Sequence, residues 1–169
     1  MTSHETMREA LLELIEQTEL VDRYPFYAAV LSQMKPLDDP SVDVMAVSAV
    51  GRDLRLHVNV DYFVAHPEHL HGVLLHEVHH VVLGHVSEAK FHEVAYPDLM
   101  RLTMEMSANE HIKEALPESI VTWRDFEQFG VRAGQSTMER YRRLADLRNE
   151  GTIVGLPTRL LGGGPDAGG

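Results

Sequence analysis

The chain has 169 residues, 44% of them hydrophobic, with no cysteine and a formal net charge of −11. That is the length of one domain with enough apolar side chain for a core, and the missing thiols leave His, Asp and Glu as the only metal ligands. The acidic balance argues against nucleic acid as a partner, because a phosphate footprint needs clustered Lys and Arg.

The N-terminus has no basic region followed by an apolar run, so no signal peptide is expected. No apolar run approaches the ~20 residues of a membrane span. A cytoplasmic protein with no membrane partner is the expectation. Residues 6–18 carry Leu11, Leu12, Leu14 and Ile15 among charges, which predicts an amphipathic helix capped by Ser3 or Thr6. Pro25 suits the first turn of a short helix to Met34. "KPLDDPS" reads as a loop. Val-rich alternating runs at 43–50 and 54–60 flank Gly51, a β-hairpin signature. Pro67 opens a helix through Leu83, closed by Gly84. "VSEAKFHEVAY" connects it to a helix over 97–116 that Pro117 stops. "TWRDFEQFG" reads as a short helix ending at Gly130. Met138, Tyr141, Leu144 and Leu147 recur at helical spacing, with Ser136 or Thr137 as cap and Glu139 in the first turn. The expected organisation is one domain over 1–155 and a flexible Gly-rich tail over 156–169, without internal repeats.

The stretch "GVLLHEVHHVVLGH" sets four histidines and a glutamate into an apolar helix. His76, Glu77 and His80 form H-E-x-x-H. Residues i and i+4 lie about 40° apart on a helix, so both imidazoles can reach one Zn²⁺. Glu77 falls about 100° from His76, beside the metal, where it can take a proton from a metal-bound water. In a chain with 11 His, a shuffled copy would contain the pattern roughly once in fifteen tries, so context must carry the reading. Leu74, Leu75, Val78, Val81 and Val82 fall between about 140° and 260° of His76, whereas His76, Glu77 and His80 span 0° to about 100°. One face is core and the other gathers the chemistry.

His79 points to the other side of His76 and reads as a flanking surface or second-layer residue. His85 would fall inside the apolar face of a continued helix and could join the metal only if Gly84 reverses the chain. Its offset from His80 does not fit the metzincin pattern, which leaves it the runner-up ligand. Glu105 and Asn109 share a face of the next helix, among Leu102, Met104, Met106 and Ala108. A carboxylate there needs a partner. Glu105 is therefore the leading third ligand, Asn109 can hydrogen-bond a ligand or the substrate, and Glu110, His111 and His92 are the alternatives.

"PFYAAVLSQM", the hairpin, "LLHEVHHVVLGH" and "EMSAN" together resemble the bacterial metallopeptidase domain that precedes von Willebrand factor A-like domains. The resemblance covers roughly residues 20–115. It implies zinc on His76, His80 and an acidic third ligand, with Glu77 catalytic. Two departures stand out. The downstream acid of that family is usually Asp, and Glu105 reaches about one bond further. No von Willebrand-type domain follows, so a partner role carried by it is absent or supplied in trans.

The expected fold is α+β and zincin-like, of gluzincin-like organisation, with the strand "LRLHVNV" as the edge above the site helix. The expected activity is zinc-dependent hydrolysis of a peptide or protein substrate, with Glu77 as general base. Candidate donors to the oxyanion are His57, His92 and His111. Two rivals remain at this point: a zinc hydrolase of a non-peptide substrate, and a non-catalytic module stabilised by metal.

Overall fold

The computed structural model describes residues 3–16, 22–118 and 120–153. The expected tail and the last residues of the expected first helix lie outside the described residues. The fold is α+β. Helix α1, Ser3–Glu16, turns Met7 and Leu11 into the core. Helix α2, Pro25–Ser32, starts at its proline.

Strand β1, Met34–Asp38, replaces the expected loop and pairs in parallel with β3, Asp53–Val58, from Met34↔Leu54 to Asp38↔Val58. Its sequence hides the strand because only Met34 is buried and Pro36 interrupts it. An edge strand tolerates a residue without an N–H. Strand β2, Met45–Val50, forms the expected hairpin with β3 through Gly51, whose φ of 63° suits the first central position of a two-residue turn. The order is β1-β3-β2. "LRLHVNV" is thus the central strand, and the expectation that it forms the edge above the site is corrected: β2 takes that place and packs against the site helix.

The helix expected over 67–83 is preceded by α3, Val60–Ala65, which Asn59 caps by accepting from the Tyr62 N–H at 3.3 Å. Pro67 forces His66 out of the helical region (φ −132°, ψ 62°), and a 3₁₀ turn, Pro67–His69, leads into α4, Leu70–Val82. Helix α5, Pro97–Asn109, ends well before Pro117. The chain beyond it lies against α4, where a Cβ on Gly72 would come within 2.3 Å of the Ala115 carbonyl oxygen. The short helix is a 3₁₀ run, Trp123–Phe129, closed by Gly130. Helix α6, Thr137–Asn149, has Ser136 and Glu139 in a reciprocal capping box.

Two apolar clusters result. Leu56, Val58, Phe63, Leu74 and Val78 centre the one under the sheet, and Leu99, Leu102, Met106, Val131 and Leu144 centre the one between α5 and α6. Helices α4 and α5 pack together between them. Among the described residues, no helix is long and apolar enough to cross a membrane.

Candidate metal centre

Helix α4 presents the two faces that its sequence implies. Leu74, Leu75 and Val78 are buried on one side. The apolar face frays at its end, since Val82 is 44% exposed. On the other side, the Nε2 atoms of His76 and His80 lie 2.9 Å apart. The α5 helix crosses so that one Glu105 oxygen sits 3.2 Å from His76 Nε2 and the other 3.1 Å from His80 Nε2. His76, His80 and Glu105 thus form a group that could hold a metal ion. The three separations lie close to the ligand–ligand spacing of a tetrahedral zinc site, about 3.3 Å for zinc-ligand distances of 2.0–2.1 Å, with a different Glu105 oxygen nearest each imidazole.

Each histidine is oriented through its other nitrogen. Asn109 donates its amide to the Val121 carbonyl at 2.9 Å, which turns Oδ1 toward His76. That oxygen accepts the Nδ1–H of His76 at 2.6 Å and leaves Nε2 facing Glu105, where it can carry a proton or hold a metal. His80 Nδ1 lies 2.9 Å from His85 Nδ1, and His85 Nε2 lies 2.7 Å from Thr137 Oγ1. For His80 to offer Nε2, its Nδ1–H must donate to His85, and the Nε2–H of His85 then donates to the Thr137 hydroxyl. Burial first, then His80, pushes His85 down to about 3, which keeps it neutral and able to accept. Such contacts fix the ring and tautomer of metal-binding histidines.

His85 reaches this place because α4 ends in a Schellman motif. Gly84, at φ 78°, donates its N–H to the Val81 carbonyl, and the His85 N–H returns to the His80 carbonyl at 2.9 Å. The chain does reverse at Gly84, yet His85 meets the outer nitrogen of His80 rather than the Nε2 cluster. The Gly-His pair carried that signal in the sequence. His79 is not a surface residue: it bonds the Ala108 carbonyl at 2.7 Å and the Tyr27 hydroxyl at 3.0 Å, joining α4 to α5 and α2. Tyr27 gives the "PFYAAVL" stretch a structural purpose that sequence reasoning missed.

The alternatives are engaged elsewhere or open to solvent. Glu110 pairs with Arg140 at 2.6 Å and accepts the Gly134 N–H. His57 spans Ser48 and Asp39 on the sheet, with contacts of 2.8 and 2.9 Å, so both its nitrogens are occupied. His92 and His111 are exposed. A cleft of about 360 Å³, lined by Tyr27, His79, Leu83, Ser107, His111 and Thr137 among others, lies beside the cluster and does not include it.

Electrostatics favour a cation between the ligands. Burial works to lower the His76 imidazole, but Glu105 and then Glu77 outweigh it and raise it to about 9. Burial works to raise Glu105, and His76 and His80 hold it well below the usual carboxylate range. Two carboxylates against buried imidazoles suit a bound cation, be it proton or metal. Glu77 differs. It is 5% exposed, and burial raises it against the pull of His76 and His80. Its Oε1 stands 3.9 Å from His76 Nε2, and the Val47 backbone of β2 works to lower it. It lies beside His76, His80 and Glu105 without joining their cluster.

Compared with protein-family models, with curated proteins and with solved structures, the chain shows no match.

Proposed function

We propose that the chain is a zinc-dependent peptidase of zincin type, in which His76, His80 and Glu105 hold the metal and Glu77 is the general base. The observation that carries this reading is the placement of Glu77: a buried, upward-shifted carboxylate next to a ligand cluster that it does not complete. A purely structural metal site has no use for such a group. The donor set fits zinc, since two imidazoles and a carboxylate are its ordinary catalytic ligands and leave a fourth position open. Zinc held there would supply a Lewis acid that acidifies a water and polarises a substrate carbonyl.

The chain's own residues do the rest. Glu77 accepts a proton from the attacking water and passes it to the leaving amide nitrogen, a transfer that suits a carboxyl with a raised pKa. Asn109 and, through His85, Thr137 hold the two imidazoles in the ligating tautomer. Among the described residues, strand β2 pairs with another strand on one side only. Val44 accepts from Asn59 on the β3 side, and the Val47 backbone acts on Glu77, so by alternation Met45, Val47 and Ala49 face away from β3. An extended peptide can add to the other side as a further strand beside the base. The earlier resemblance points to the same reading through the residues quoted for it. Mass spectrometry of peptide mixtures incubated with the zinc-loaded chain tests it: new termini are expected, and they should disappear with a chelator.

A further inference from the structure

The turn from α3 into α4, "HPEH" over residues 66–69, carries a second set of donor atoms. We propose that His66, Glu68 and His69 form a surface site for a borderline divalent transition cation of the Zn²⁺, Ni²⁺ and Cu²⁺ class. His66 Nδ1 and His69 Nε2 lie 3.5 and 3.7 Å from the same Glu68 oxygen. One ligand atom from each of the three lies within 4.8 Å of the others.

Two features set this turn apart from a solvated charge cluster. First, the spacing is built in. Pro67 opens the 3₁₀ turn, and a repeat of three residues per turn puts i and i+3 on one side. The His66 and His69 rings accordingly stack with centroids 5.4 Å apart and planes within 15°. Second, one ligand is already oriented. The Tyr62 hydroxyl lies 2.7 Å from His69 Nδ1. By accepting Nδ1–H, it leaves the Nε2 lone pair on the side of Glu68, the contact that accompanies ligating histidines. The His69 side chain is 15% exposed, hence held, while those of His66 and Glu68 are 47% and 57% exposed and open to an arriving ion. Two imidazoles and one carboxylate select this class of cation over Mg²⁺ or Ca²⁺, which prefer all-oxygen shells. Binding would tie the end of α3 to the first turn of α4. The site is independent of the peptidase reading.

Titration of the full chain with Co²⁺, followed through the ring-proton resonances of histidines and tyrosines, tests the assignment. Resonances of His66, His69 and Tyr62 are expected to broaden. His66→Ala and Glu68→Ala, both at exposed positions, should each lose more than about tenfold in Co²⁺ affinity at this turn and leave the response of His76 and His80 as in wild type. Far-UV circular dichroism checks that both variants fold. Sharp His66 and His69 resonances in excess Co²⁺ overturn the proposal, and so does broadening that persists unchanged in both variants. Failure of the buried centre would show separately, as a missing response at His76 and His80.

Discussion

His80 illustrates how much of a candidate metal site lies outside the groups that could hold the ion. Its ring is set by His85, and His85 by a hydroxyl from another helix, across contacts of 2.9 and 2.7 Å. Under the proposed reading, four substitutions separate these layers. Glu105→Ala removes a ligand and should weaken zinc more than the roughly 10–100-fold typical of orienting residues. His85→Ala should fall within that range. Thr137→Val should fall at its lower end, and Thr137→Ser should recover the wild-type value because it restores the hydroxyl. Competition with a chelator ranks all four. A His85→Ala loss exceeding that of Glu105→Ala would contradict the assignment of ligands.

Helix α5 meets α6 through a buried ion pair as well as through apolar packing. Arg140 is fully buried and donates to Ser107 at 3.0 Å, to the Arg132 carbonyl at 2.9 Å and to Glu110 at 2.6 Å. Glu110→Ala would strand the guanidinium and should cost about 3–5 kcal/mol in urea unfolding. Burial works to raise Glu110, but the Gly134 N–H and Arg140 win and lower it. A depressed carboxyl stabilises the fold above its unfolded pKa, and that contribution is lost as pH falls through the folded value. Acid unfolding of wild type should therefore include a component that Glu110→Ala lacks. The outer edge of β2 has its own test. Ala49→Pro removes an outward N–H that the β3 pairing does not use, so the fold should survive while KM for an extended peptide rises. An unchanged KM would speak against strand addition. Of these elements, α4, α6 and the hairpin were legible in the sequence, because helical spacing, a capping box and a Gly51 turn are local signals. Strand β1 was not, since its pairing with β3 is non-local and Pro36 masks the alternation. The end of α5 was not either, since its sequence continues in helical-looking fashion to Ala115, whose carbonyl packs close to Gly72. His76, Glu77 and His80 were read from spacing together with the apolar face opposite them, Glu105 from its place among apolar neighbours, and Asn109 from sharing its helix face. Val47, Tyr27 and Thr137 enter only through tertiary contacts that no spacing announces.

Among the described residues there are two apolar clusters, and the candidate centre lies at the α4–α5 seam between them. His76 to Asn109 and His79 to Ala108 already cross that seam. A metal bound to His76, His80 and Glu105 would add a further tie, so zinc should raise the thermal midpoint. The gain is about 2.7 kcal/mol at a free concentration one hundred times Kd, and Glu105→Ala should abolish most of it. Activity is the more direct test. Wild type and Glu77→Gln, loaded to equal zinc content, would be incubated with the same peptide mixture and the new termini counted by mass spectrometry. The amide keeps the shape of the side chain but cannot take a proton at neutral pH, so cleavage should fall about 10²–10⁴-fold with zinc retained. Zinc-loaded wild type that produces no new termini, or Glu77→Gln that cleaves as fast as wild type, would contradict the account.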